Sequence, residues 1–313
     1  MIRGVTYSNG RVKSIDLKSF KKSDGVSWLH CSEVSLKELE DISNKFHVRM
    51  SELKHCLDTK ERPRVSDSYS YSLIIFRDIL ENSVTKRVTY PIEFIVGKNY
   101  LITLSSEKCN AIDDIYEEFD GILGKKISEE GISFLIFKII LSLIRNYGNY
   151  LENADDIVDG LEDLALHADD KGMQSLFNLK RKILYLRRSL LSNKEVLISI
   201  EEEKLRFVKP GDFFGELHIE LNQVIGIEEV IRDRMTTIAE IFLSSTSNNL
   251  NQAMKSFTVI ASLLLVPMLV SGIYGMNVVL PFGEHPKAFS IIIGIMAFSS
   301  IIMILYFRAK KWI

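Results

Sequence analysis

The sequence predicts an α+β fold: an amino-terminal α/β domain, a middle built of long helices, and two carboxy-terminal transmembrane helices. Three observations carry this. Short runs rich in β-branched and aromatic residues are confined to the first 110 residues or so. From Asp113 onward the apolar spacing is helical. The charge is also uneven. The 313 residues carry a formal net charge of −2, yet the 28 residues Ser256–Gly283 and the 20 residues Ala288–Phe307 contain no Asp, Glu, Lys or Arg. A run of about 20 apolar residues spans the hydrocarbon core as a helix.

The elements follow in chain order. The opening MIRGVTYSNGRVKSIDL is mixed and polar and lacks the apolar core of a secretory signal, so none is expected. VSWLHC (Val26–Cys31) and YSLIIF (Tyr71–Phe76) read as strands, and IEFIV and YLITL read as a hairpin turning at Gly97-Lys98-Asn99. SLKELEDISNKF (Ser35–Phe46) has helical periodicity behind a serine cap. Cys31, Cys56 and Cys109 are odd in number and lie far apart, which predicts reduced thiols in a cytosolic domain. FLIFKIILSLI (Phe134–Ile144) is too short for a span and is interrupted by Lys138, so it reads as a buried core helix.

An acidic stretch follows: Glu152, Asp155, Asp156, Asp159, Glu162, Asp163, Asp169 and Asp170. Such a stretch is either a solvated helix face or a diffuse surface that concentrates divalent cations, whose hard charge prefers oxygen ligands. After Lys209-Pro210-Gly211 no proline occurs until Pro267. Phe214, Leu217, Leu221, Val224, Glu228, Ile231, Met235, Ile238 and Phe242 alternate at spacings of three and four, a heptad seam. A continuous helix from Asp212 to Tyr274 would be about 95 Å long. A helix of that length needs partners along its seam, and identical helices around an axis would supply them. SSTSNNLNQ (Ser244–Gln252) is polar but uncharged. It suits a water-filled axial opening, or equally an exposed segment between cytosol and membrane.

Within the first span Asn251, Met254, Phe257, Thr258, Ala261, Leu265, Met268 and Gly272 fall near one face, ending at Gly275-Met276-Asn277. Taken alone, such a face is ordinary helix packing, and a Gly-x-Asn at a helix end is ordinary capping. The combination is more specific. Tyr274-Gly275-Met276-Asn277 closes the first of two terminal spans, a lysine-bearing tail follows the second, and an acidic helical domain precedes both. This resembles the CorA family of magnesium transporters, strongly over 244–313 and more loosely upstream, at Glu61–Arg64 and the GKNYLITL hairpin.

The resemblance implies a homopentamer in which five long helices form a funnel and the first span lines an axial pore. Gly275, Met276 and Asn277 would form the selectivity filter. Asn251, Met254, Phe257, Thr258, Ala261, Leu265, Met268 and Gly272 would line the pore, with Met254 and Phe257 as a hydrophobic constriction. Intracellular Mg2+ bound between cytosolic domains would hold the pore shut, with Glu216 on the stalk and Asp78 as its partner. Glu284, in a loop that departs from the family pattern, would attract cations outside. The expected division is 1–250 cytosolic and 251–313 transmembrane, with spans about 256–274 and 288–307 and an external loop 275–287. Arg308, Lys310 and Lys311 beyond the second span and Lys255 before the first place both termini in the cytoplasm. Partners are further copies of the chain, the lipid bilayer and divalent cations, with no nucleic acid. No resident cofactor and no enzymatic activity are expected, because no nucleophile, base and orienting group converge in the sequence. The alternatives are cobalt or nickel uptake or zinc transport by the same pore, or a non-conducting membrane-tethered cation sensor.

Overall fold

Seven strands form one mixed sheet: β1 (Ile2–Ser8), β2 (Arg11–Ile15), β3 (Val26–Cys31), β4 (Arg64–Asp67), β5 (Ser72–Ile79), β6 (Thr89–Val96) and β7 (Tyr100–Ser105). Their order is β2-β1-β3-β7-β6-β5-β4. β3 and β7 pair in parallel, and the remaining neighbours are antiparallel. This computed structural model describes residues 2–8, 11–17, 19–20, 25–80, 88–119, 122–278, 280–281 and 285–312.

The expected hairpin is β6–β7, closed by the Gly97 N–H donating to the Tyr100 carbonyl at 2.9 Å. A Cβ on Gly97 would lie 2.1 Å from the Tyr100 ring, so only glycine fits that turn. β5, β6 and β7 are buried almost throughout, as strands covered on both faces must be. β1, β2 and β4 were not among the expected strands. β2 is largely exposed and has no apolar alternation, so its pairing rests on the backbone ladder with β1.

One face of the sheet is covered by α1 (Leu36–Phe46), α2 (Met50–Leu53) and a short 3-10 turn, which bury Leu39, Ile42, Phe46, Leu53 and Cys56 against Leu73, Ile75, Ile95 and Ile102. Ser35 caps α1 as expected. Its Oγ accepts from the Glu38 N–H, and the Glu38 carboxylate accepts from the Ser35 N–H at 2.8 Å. The three cysteines are free and buried.

Helices make up the rest: α3 (Asn110–Glu117), α4 (Ile122–Glu130), α5 (Ile132–Leu166), α6 (Asp170–Glu201), α7 (Phe214–Tyr274) and α8 (Ala288–Ala309). The apolar run 134–144 is a buried part of α5. Lys138 interrupts it at little cost, because its ammonium lies over the Phe134 and Phe137 rings at 5.7 and 5.6 Å. β4 ends opposite Ile75, so the backbone of Arg77 has no strand neighbour on that side. Asn193 of α6 replaces one: Arg77 N–H donates to its Oδ1 at 3.0 Å, and its amide donates to the Arg77 carbonyl at 2.9 Å.

The chain divides into two compact units, 1–164 with 170–238, and 165–169 with 239–313. In the first, the α7 seam from Phe214 to Ile238 is buried within the single chain. This corrects the expectation that identical helices cover it. The chain's own helices do so. Arg187 of α6 donates to Glu228 at 2.6 Å, and Arg234 reaches Asp155, Asp159 and Glu162 of α5. Each buried Leu, Ile or Phe of the seam contributes about 1.5–3 kcal/mol. In the second unit, the apolar parts of α7 and α8 are long enough to cross a membrane, and little of either is buried.

Candidate pore mouth and cation site

α7 stays helical through Pro267 as far as Tyr274. Proline removes one backbone donor, a loss that spanning helices tolerate because neighbouring groups re-satisfy the backbone. The helix then closes tightly. Gly275 N–H donates to the Ser271 carbonyl at 2.9 Å, and Met276 N–H to the Ile273 carbonyl at 3.2 Å. Gly275 does not take the left-handed conformation of a glycine cap: among the described glycines only Gly131 has a positive φ. It is tight for a different reason, since a Cβ there would approach the Ser271 oxygen to 3.1 Å. Met276 and Asn277 lie exposed just past the helix end. The last carbonyls of a helix lack helical partners and carry the negative end of its dipole. Gly275-Met276-Asn277 therefore sits where backbone oxygens and one neutral amide can face a cation. The Tyr274 hydroxyl donates to the Pro281 carbonyl at 3.4 Å, linking the helix end to the loop.

The residues of the expected pore face all lie on α7. Asn251, Met254, Phe257, Thr258, Ala261, Leu265, Met268 and Gly272 are exposed in the single chain. The Thr258 hydroxyl donates to the Met254 carbonyl at 2.8 Å, which leaves its oxygen lone pairs outward as acceptors. Glu284 lies outside the described residues. The neighbouring His285 is exposed, and its Nδ1 accepts from the Lys287 N–H at 3.2 Å. At the far end of α8, Trp312 stacks on Phe307 with ring centroids 5.6 Å apart, next to exposed Arg308, Lys310 and Lys311.

The two acids named for regulation have different surroundings. Glu216 is exposed in the first turn of α7. Asp78, at the end of β5, is buried inside its own chain. It accepts from the Tyr90 hydroxyl at 3.2 Å, the Asn146 amide at 3.4 Å and the Cys109 thiol at 3.5 Å. Burial outweighs these donors and pushes its pKa up to about 6. Asp78 also lines a cavity of about 240 Å3 together with Glu33, Glu107, Lys108, Asn110 and Asn146. No group of three or more His, Cys, Asp or Glu side chains that could hold a metal occurs among the described residues. On α5 the acidic stretch is largely exposed, and Arg234 takes three of its carboxylates, those of Asp155, Asp159 and Glu162. Sequence reasoning missed Arg234. It also missed the pairing of Arg187 with Glu228, although Glu228 as the one polar member of an apolar seam was the available signal.

A family model described as CorA-like Mg2+ transporter protein matches residues 23–311. The cobalt/magnesium transport protein CorA of Methanocaldococcus jannaschii is 30% identical over 291 residues, covering 91% of each chain. The protein of the same name from Thermotoga maritima is 25% identical and covers 96% of this chain and 88% of its own. The solved complete structure of the CorA magnesium transporter from Methanocaldococcus jannaschii superposes with a TM-score of 0.88 at 28% identity, covering 100% of this chain and 99% of the other. The match runs through the sheet, the long helices and both candidate spans, and on that ground the chain belongs to the family of CorA-like Mg2+ transporter proteins.

Proposed function

We propose that the protein is a divalent-cation channel that takes up Mg2+ through an axial pore formed by five copies of α7. The observation that carries this reading is the continuity of α7. One helix of 61 residues runs from a buried, largely apolar seam into an uncharged apolar segment and ends at Gly275-Met276-Asn277. The CorA relatives are named for magnesium and cobalt transport, and Co2+ is the competing cargo for the same pore.

The chemistry follows from how Mg2+ holds water. It dehydrates reluctantly and keeps several waters when bound, so a filter can act on the hydrated ion. A ring of Asn277 carbonyl oxygens with backbone carbonyls accepts hydrogen bonds from first-shell waters. Neutral oxygens bind weakly enough to release the ion, whereas a ring of carboxylates would hold it. Below the filter, Leu265 and the Met254/Phe257 pair form apolar constrictions that close by dewetting. The membrane potential supplies about 4.6 kcal/mol for two charges per 100 mV. Both termini are cytoplasmic in this arrangement, and Glu284 contributes negative charge at the outer mouth. Glu216, exposed on α7, is open to a regulatory Mg2+ shared between subunits. Asp78 is buried, so a cation would have to enter its cavity to reach it.

The deciding experiment is flux into liposomes holding a magnesium-sensitive dye under an inside-negative potential. Wild type admits Mg2+, and Asn277→Ala loses most of that flux. A wild type that admits neither Mg2+ nor Co2+ at low internal Mg2+ rules the channel reading out and leaves a membrane-tethered sensor.

A further inference from the structure

The end of α8 is closed by a specific turn. Lys311 takes the left-handed conformation, with φ at 58°. That conformation costs energy in any residue with a Cβ and is ordinarily left to glycine. The Trp312 N–H donates to the Phe307 carbonyl at 2.9 Å, and the Lys311 N–H to the Arg308 carbonyl at 3.0 Å. This pair of bonds around a left-handed residue ends a helix by satisfying its last carbonyls, and an apolar contact across the turn commonly accompanies it. Here that contact is the Trp312 ring stacked on Phe307, with centroids 5.6 Å apart and planes 22° apart. Tyr306 adds an edge contact to Phe307, also at 5.6 Å. The path of the last residues is therefore set by rings and backbone bonds.

The turn presents cations with nothing beside them to neutralise them. Arg308, Lys310 and Lys311 are exposed, and none of them is ion-paired among the described residues. No Asp or Glu occurs anywhere in 288–313. Backbone donors already take the Phe307 and Arg308 carbonyls, so the Lys and Arg side chains are not needed to cap them. Depth decides what they meet. The uncharged part of α8, 288–307, rises about 30 Å, which matches the hydrocarbon core. Arg308 and the two lysines then emerge at the level of the headgroups. Tyr and Trp rings are enriched at that level, and Tyr306 and Trp312, 58% and 39% exposed, flank the cations. Before the other end of α8, the described residues 285–287 offer one Lys or Arg, Lys287.

We infer that this turn is a binding site for the phosphate headgroups of anionic lipids in the leaflet where α8 emerges. Arg308, Lys310 and Lys311 donate to phosphate oxygens, and Tyr306 and Trp312 pack at the boundary between headgroup and chain. The left-handed Lys311 holds Lys310 and its own ammonium beside Arg308, where a frayed helix end would scatter them. Each Lys or Arg beside an anionic leaflet strengthens attachment about fivefold. In the orientation proposed above, that leaflet is the cytoplasmic one, which carries the negative surface potential. The inference uses only the spanning of α8 and is independent of what the pore conducts.

The test titrates phosphatidylglycerol or phosphatidylcholine into the full-length protein in neutral detergent and counts retained lipid by native mass measurement. Wild type should retain phosphatidylglycerol in preference, and its affinity should fall about fivefold for each of Arg308→Gln, Lys310→Gln and Lys311→Gln. Trp312→Ala keeps every charge but removes the stack, and should weaken phosphatidylglycerol as well. Lys310→Arg should bind as wild type does. Lys311→Gly relieves the backbone and keeps the turn, so its loss of binding reads the charge alone and does not depend on the other variants folding. Equal retention of both lipids by wild type overturns the inference, and so does a Lys311→Gly variant that retains phosphatidylglycerol fully. Displacement of the lipid by inorganic phosphate at equal concentration shows a site for the free anion, which also overturns it. If the variants change the oligomer mass and leave lipid retention unchanged, the cations meet acids of a neighbouring chain and the inference fails. Mg2+ flux is measured separately, so failure here leaves the channel reading standing.

Discussion

Asp78 sits at the end of β5 with its carboxyl buried among Tyr90, Cys109 and Asn146. Its folded pKa of about 6 lies above the ordinary value of 3.8. Between those two values the folded protein keeps a proton that the unfolded chain has released, so stability falls as pH rises through that window and levels off above it. The shift corresponds to about 3 kcal/mol at one pKa unit per 1.36 kcal/mol. Asp78→Asn should abolish this term. Measured as Tm against pH in detergent, the variant should gain stability relative to wild type between about pH 4 and 6, and parallel curves would show that Asp78 does not titrate there. His30 acts in the opposite direction. Burial and the nearby Arg3 lower its pKa to about 3. The unfolded chain therefore binds the extra proton, and stability rises with pH up to about 6.5. Neither residue's behaviour was legible in the sequence. Asp78 and Glu216 are both single acids in mixed surroundings, yet one is buried and the other exposed, and the neighbours that bury Asp78 come from β6, the residue preceding α3, and α5.

At the scale of elements, the contact of α6 with α7 depends on an ion pair of unequal burial. Glu228 is fully buried, whereas the Arg187 side chain is 26% exposed. Removing the arginine strands a buried carboxylate, and removing the glutamate leaves a guanidinium that can turn to water. Arg187→Ala should therefore cost about 3–5 kcal/mol, and Glu228→Leu clearly less, measured by denaturant or thermal unfolding. Equal losses would show that packing rather than charge sets the cost. A smaller effect belongs to α1. Ser35→Ala removes one half of the capping box and should cost about 1 kcal/mol, seen as a lowered Tm. The helices were largely legible in the sequence, because periodicity and caps are local signals. β1 and β2 were missed although Asn9-Gly10 between their runs is a hairpin dipeptide, and β4 was missed because its four residues, mostly half-buried beside β5, show no apolar alternation.

At the scale of the whole molecule, the functional consequence of α7 is that one helix carries both the buried heptad seam and the apolar segment. Uptake should follow the inside-negative potential and stop when the potential is collapsed or reversed, because two charges cross the field. A dye-loaded liposome assay with an imposed potassium gradient checks this, and flux indifferent to potential would remove the proposed driving force. Under the proposed regulation, Mg2+ should protect the part of the chain before the apolar segments from protease, and Glu216→Ala should weaken that protection. Unchanged protection would take Glu216 out of regulation.

By itself the sequence determined that two uncharged stretches end the chain, that a heptad seam leads into the first, and that Tyr274-Gly275-Met276-Asn277 closes it. These are properties of composition and spacing, which survive without knowledge of neighbours. The tertiary structure decided what the seam is buried against. A heptad reports that a helix face is covered and is silent on whether the cover comes from its own chain or another. The α7 seam turned out to be covered by α5 and α6, through Arg187 and Arg234. The structure also decided which acids are surface groups, because burial of a short polar side chain is set by residues far away in sequence that only the folded chain brings beside it.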